Sequence, residues 1–159
     1  MSRMNEIFVL DASVAAKWYL REEDWAGVAE EYLLRFLRKE ITFHAPHLLL
    51  FEVGHLLSKA QRQPRQRIAR ARSERAYGHF CHLPVQYHLL TTEQLGEALQ
   101  FANTFHRGFY DSCYLVLAQK LGAPWLTSER RFRPIFPVGF PGELVLTLEA
   151  LAANEETSL

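Results

Sequence analysis

Apolar positions along the chain follow two rhythms. Short runs rich in β-branched and aromatic residues predict strands, and between them lie longer stretches where apolar residues recur every three or four positions, the signature of amphipathic helices. Ile7 to Leu10 is the first such run, ending in Asp11, and Val14, Ala15, Trp18 and Tyr19 predict a short helix over 12–20. After the polar break Arg21 to Asp24, the residues Trp25, Val28, Ala29, Tyr32, Leu33, Phe36 and Leu37 predict a helix over 24–38. Ile41 to His44 reads as a strand. Pro46 suits a first helical turn, and Leu48, Leu49, Phe51, Val53, Leu56 and Leu57 carry that helix to about Arg62.

Gln63-Pro64 interrupts the pattern, and a further helical stretch is expected over 65–82, closed by Pro84. Val85 to Leu90 reads as a strand. Thr91 with Gln94 forms a capping box for a helix over 92–106, and Arg107-Gly108-Phe109 is a turn. A helix over 110–122 ends on Gly122 as its C-cap. Trp125 to Thr127 is a strand, a Pro- and Gly-rich loop spans 134–142, and Leu144 to Leu148 is the last strand. The polar tail over 154–159 is expected to be disordered. Strands alternating with helices predict one α/β domain over 1–153, with a mainly parallel central sheet flanked by helices on both faces.

Composition narrows the class only slightly. At 159 residues and 48% hydrophobic content the chain buries a single core. Its 18 basic and 18 acidic side chains cancel, so net charge points to no partner. The basic residues are unevenly placed, however: Arg62, Arg65, Arg67, Arg70, Arg72 and Arg75 face Glu74 alone. This stretch reads either as a solvated helix face or as a surface for RNA phosphates. Two cysteines, Cys81 and Cys113, are too few for a disulfide framework and fit a reducing cytoplasm. Residues 1–6 carry no apolar signal core, so no export signal is expected, and Met4 is an alternative start. No apolar run approaches the ~18 residues of a membrane span.

Four acids stand in unusual settings: Asp11 after the first strand, Glu52 within an apolar helix, Asp111 at a helix start and Glu129 just past a late strand. Each has an ordinary reading. Asp111 favours a helix dipole, Glu52 can point to solvent, and Glu129 can be a loop residue. Together they gain weight. A parallel sheet delivers Asp11 and Glu129 to one carboxyl edge, and Asp111 begins a helix whose N-terminus faces that edge, where ligands bind in such folds. Two carboxylates ~4 Å apart repel by ~4 kcal/mol at an effective dielectric near 20, so a cluster persists by protonating or by holding cations. Oxygen ligands suit Mg²⁺ or Mn²⁺.

Three stretches carry a resemblance: Val9-Leu10-Asp11-Ala12-Ser13-Val14-Ala15-Ala16-Lys17-Trp18, Pro46 to Val53 around Glu52, and Tyr110-Asp111-Ser112-Cys113-Tyr114 continuing to Gly122 through Phe132. In this order, across nearly the whole chain, they resemble PIN-domain ribonucleases, particularly the VapC-type toxins of toxin–antitoxin pairs. That resemblance implies a PIN-like nuclease domain, with Asp11, Glu52 and Asp111 binding Mg²⁺ or Mn²⁺ and metal-activated water cutting an RNA phosphodiester. It also implies a cytoplasmic homodimer held by an antitoxin. Glu129 stands where many relatives have aspartate and is expected as a fourth ligand or outer acid. Ser13 and Thr127 are expected to bond to a carboxylate, a water or a phosphate, with a helix N-cap as the ordinary role of Ser13. Arg130 and Arg131 are placed for phosphate.

Three other readings compete with this one. Cys113 in a first helical turn suggests a thiol hydrolase, but its helix is apolar and offers no oriented base. His79-Phe80-Cys81-His82 matches no common zinc spacing. A binding module on the same fold, acting through a protein or RNA partner, is the alternative of a different class. Trp18, Tyr19 and Trp25 favour it, and acids at all four positions favour the enzyme.

Overall fold

The computed structural model of the chain describes residues 5–65, 67–129 and 136–158. Its strands are β1 (Glu6–Leu10), β2 (Ile41–Pro46), β3 (Gln86–His88), β4 (Trp125–Thr127) and β5 (Val145–Thr147). They form one sheet in the order β3-β2-β1-β4-β5, every pairing parallel. The helices are α1 (Ala12–Lys17), α2 (Ala26–Leu37), α3 (Leu48–Arg62), α4 (Arg70–His82), α5 (Thr92–Phe105), α6 (Phe109–Leu121) and α7 (Leu148–Thr157).

The central strands read as continuous apolar runs because a parallel sheet is covered on both faces. Val9, Leu10, Trp125 and Leu126 are all fully buried. Right-handed crossovers place the β1–β2 and β2–β3 connections on one face and the long β3–β4 return on the other. Packing agrees: α1 meets α2 and α3, and α3 meets α4, while α5 and α6 pack on each other and α6 covers β1, β2 and β4. Chain direction reverses about β1, where the path goes out to β2 and β3 and returns beyond β1 as β4. A crevice opens outside the carboxyl ends of the strands at such a switch point.

Local signals hold at several boundaries. Thr91 accepts from the Gln94 N–H at 3.2 Å and the Gln94 side chain accepts from the Thr91 N–H at 2.9 Å, the reciprocal capping box. Thr91→Ala removes it and should cost about 1 kcal/mol of stability, read as a lower urea midpoint at constant slope. An unchanged midpoint would contradict the capping role. Gly122 ends α6 in the left-handed region at φ 60°. Gly142 is required by proximity, since a Cβ there would run into the Phe136 ring.

Other boundaries differ from the sequence reading. Pro46 ends β2 rather than opening α3; paired with His88 on the short strand β3, it sits where its missing N–H is tolerated. The helix expected from residue 65 starts at Arg70. Arg67 instead turns back onto α1 and the loop after it, its guanidinium held by Glu22 and Glu23, and Ile68 is buried beneath. After Thr147, whose hydroxyl caps Ala150 N–H at 3.1 Å, the chain is helical to Thr157, so the segment expected to be disordered from Asn154 is helical over four residues more. No helix among the described residues is long and apolar enough to cross a membrane.

Candidate functional site

Register decides where the first acid goes. Leu10 of β1 pairs with Leu126 of β4, and the Asp11 N–H bonds the Leu126 carbonyl at 3.1 Å. Asp11 therefore leaves the sheet beside Thr127 at the crevice, with α1 starting directly after it. Its side chain is 4% exposed. Asp11 Oδ2 accepts from the Thr127 hydroxyl at 2.8 Å and from the Ser13 hydroxyl at 2.5 Å. Ser13 itself accepts from the Ser128 N–H at 3.0 Å, and Thr127 from the Glu129 N–H at 3.1 Å. This network locks the end of β4 to the start of α1. The ordinary N-cap role for Ser13 is not realised; Asp11 is the N-cap residue of α1.

Glu52 comes from the second turn of α3, half-buried between Leu49 and Val53 of the core and exposed Phe51. Its Oε1 accepts from the hydroxyl of buried Tyr114 on α6 at 2.8 Å. Asp111 lies in the first turn of α6, immediately before the buried run Ser112 to Ala118. Glu129 follows β4 by two residues and is partly buried.

Electrostatics link the four. Burial pushes the Asp11 carboxyl up to about 7, the charges of Asp111 and Glu52 push the same way, and the Ser13 and Thr127 hydrogen bonds oppose them. Burial also raises Glu52, with the charges of Asp111 and Glu129 adding to it against the Tyr114 hydrogen bond. A divalent ion would offset that mutual repulsion among the carboxylates. Among the described residues, no three His, Cys, Asp or Glu side chains form a ready-made metal cage. The donor set nevertheless fits Mg²⁺ or Mn²⁺. Such ions take hard oxygen ligands and are commonly held by one or two carboxylates, with water completing the shell.

Of the residues expected at the site, Asp11, Ser13 and Thr127 share one hydrogen-bonded network, and Asp111, Glu52 and Glu129 act on it or on one another through charge. Arg130 and Arg131 lie outside the described residues. The arginine-rich stretch is divided: Arg67 pairs with Glu22 and Glu23, and Arg70 pairs with Glu74 at 3.1 Å. Cys113 is buried, and burial, then the Glu52 charge, pushes its thiol up to about 11, so it stays protonated at neutral pH. Phe80 is buried while His79 bonds Tyr19 and Cys81 is exposed, so that segment is a packed helix end. Sequence reasoning gave Tyr114 only a core role. A buried tyrosine where phenylalanine would pack equally well is the one signal that a partner awaited its hydroxyl.

A family model for the PIN domain matches residues 8–135. Among solved structures, the chain is similar to PAE2754 from Pyrobaculum aerophilum at 19% identity and TM-score 0.66, over 96% of this chain and 90% of that one. It is similar to VapC20 from Mycobacterium tuberculosis, a Sarcin-Ricin loop cleaving toxin, at 18% identity and TM-score 0.56, over 77% and 87%. It is also similar to a toxin–antitoxin complex from Klebsiella pneumoniae at 15% identity and TM-score 0.54, over 88% and 96%. At these identities the likeness concerns the fold. No curated protein matches the chain in sequence.

Proposed function

This chain belongs to the PIN domain family, and from that premise we propose that it is a divalent-metal-dependent endoribonuclease, the toxin of a toxin–antitoxin pair. One observation carries the reading: Asp11 is delivered, buried, to the switch-point crevice, where the negative charges of Asp111 and Glu52 both act on it. Likeness to a toxin that cleaves the Sarcin-Ricin loop supports RNA as substrate. Likeness to a toxin–antitoxin complex supports an antitoxin partner. A cytoplasmic homodimer accords with both.

In this reading Asp11, Glu52 and Asp111 hold Mg²⁺ or Mn²⁺, and Glu129 is a fourth ligand or binds through water. When bound, the ion supplies an activated water and stabilises charge on the displaced phosphate oxygens. Ser13 and Thr127 fix the carboxylate plane of Asp11, and Tyr114 fixes that of Glu52. The nearby N-terminus of α6 adds a favourable dipole for the phosphate.

The test is cleavage of a mixed single-stranded RNA pool by purified protein. Cutting is expected with Mg²⁺ or Mn²⁺, absent with EDTA, absent in Asp111→Asn, and unaffected by a thiol-blocking reagent. Undiminished cutting by folded Asp111→Asn would sink the site assignment, and loss on thiol blocking alone would move the chemistry to Cys113. No cutting in any condition would favour the binding module.

A further inference from the structure

Beside the acids lies a second cavity that no step of the proposed cleavage uses. Glu52, Leu56, Lys59 and Gln63 follow one another on α3 and at its C-cap at spacings of four, three and four residues, so they share one helix face. Glu52 belongs to the acid group. The other three line a notch of about 170 Å³ against Ser13 and Ala16 of α1 and against Ser128. Ser13 is common to both sites. It donates to Asp11 on one side and accepts from Ser128 on the other.

The floor is apolar and open because its residues are small: Ala16 and Ala60 are 3% and 1% exposed, between Leu20 and Leu56. The rim is polar. Lys59 is exposed and pairs with no acid among the described residues, and Gln63 offers both a donor and an acceptor. Glu23 closes the far end, its carboxylate already engaged by Lys17 Nζ at 3.0 Å and by Arg67. Arg67 lines that end as well, so Glu23 is neutralised there, and a phosphate would find only Lys59 at the rim above an apolar floor. A flat heterocycle with a hydrogen-bonding edge suits the notch well. The volume equals that of about five or six waters at ~30 Å³ each, room for one nucleobase and not for a stacked pair.

We propose that this notch takes a nucleobase flanking the scissile phosphate of a single-stranded RNA, with Gln63 and Lys59 reading its edge. The proposal rests on the ribonuclease reading, and it makes the notch a determinant of where the chain cuts. Unstacked bases of single-stranded RNA are bound in this way, buried on an apolar surface and read at the edge.

Two measurements test it. In the first, the ¹⁵N-labelled full chain in EDTA, where no cutting is expected, is titrated with the tetranucleotides UUUU, CCCC, AAAA and GGGG. Amide shifts of Ala16, Ala60, Gln63 and Ser128 should move with one or two of the four. Gln63→Ala, and Ala60→Leu, which fills the floor, should weaken that binding at least about tenfold. In the second, the base profile at positions flanking the cut is read on a randomised RNA pool, and the same variants should flatten one position by a similar factor. Gln63→Ala removes only a partly exposed side chain, so it remains informative if Ala60→Leu fails to fold. The proposal is overturned if no tetranucleotide moves the notch amides, which would assign the cavity to a protein partner's side chain. It is also overturned if both variants, folded by circular dichroism, keep the wild-type profile. Notch shifts in a chain that cuts no RNA with any metal would retire the cleavage reading and leave the notch as an RNA site.

Discussion

Asp11→Asn is expected to abolish RNA cleavage and, without divalent ions at neutral pH, to raise the melting temperature. Both effects follow from one buried carboxyl. In the folded metal-free chain Asp11 keeps its proton up to about pH 7, against 3.8 for its ordinary value, chiefly because burial penalises the charged form. A folded pKa above the unfolded one contributes stability that is fully present below about pH 4 and is lost as pH rises through about 7. The difference between the two ends is about 4 kcal/mol, or roughly 10 °C in a domain of this size. Asparagine keeps an acceptor for Ser13 and Thr127 and has no charge to bury, so the share of the pH slope that comes from Asp11 should vanish, leaving a smaller one from Glu52. Thermal melts of both proteins in EDTA between pH 4 and 8 check this. Parallel pH profiles would show that Asp11 is solvated, and cleavage by the variant at the wild-type rate would remove it from the site. Saturating Mg²⁺ or Mn²⁺ should restore wild-type stability at pH 8 and leave Asp11→Asn much less changed.

Tyr114→Phe should weaken Mn²⁺ binding, and cleavage at limiting metal, by 10- to 100-fold, the usual cost of removing a group that orients a ligating carboxylate. The hydroxyl bonds Glu52 Oε1 at 2.8 Å, while the ring stacks on Trp125 with centroids 6.0 Å apart. Phenylalanine keeps the stack and loses only the bond, so the fold should lose about 1 kcal/mol. Calorimetric Mn²⁺ titration separates the two effects. A variant with unchanged metal affinity would reduce Tyr114 to a core residue. High metal should rescue cleavage in Tyr114→Phe and fail to rescue Asp11→Asn, because the first misplaces a ligand and the second removes one.

Strand positions were legible because a parallel sheet buries both faces, so β1 and β4 appear as unbroken apolar runs ending at Asp11 and Thr127. The acids were legible because carboxylates at strand ends and helix starts cost energy unless something offsets them. What stayed hidden depended on contacts between distant residues. Arg67 reaches Glu23 across 44 positions, and that tie, not local propensity, delays α4 to Arg70. Pro46 carries a helix-start signal, yet pairing with the short strand β3 decides its place. The terminal helix was missed because its first turn, capped by Thr147, looks like the continuation of a strand. Tyr114 was missed because its ring and its hydroxyl serve different neighbours, and only the ring leaves a trace in the hydrophobic pattern.

The bond from Thr127 to Asp11 spans 116 residues. During synthesis, β1, β2 and β3 can pair as soon as they emerge, but Asp11 meets Thr127 only after β4 has inserted on the other side of β1. Long-range parallel pairing of this kind is slow, because the chain must close a large loop before contacts reward it. The site therefore comes into being as one of the last events of folding. A ribosome-bound or truncated chain that stops short of Trp125 has the first acid and no partner strand to aim it. For a protein proposed to cut the RNA of the cell that makes it, the topology itself imposes a delay, so the nascent chain is inert until nearly all of its sheet is in place.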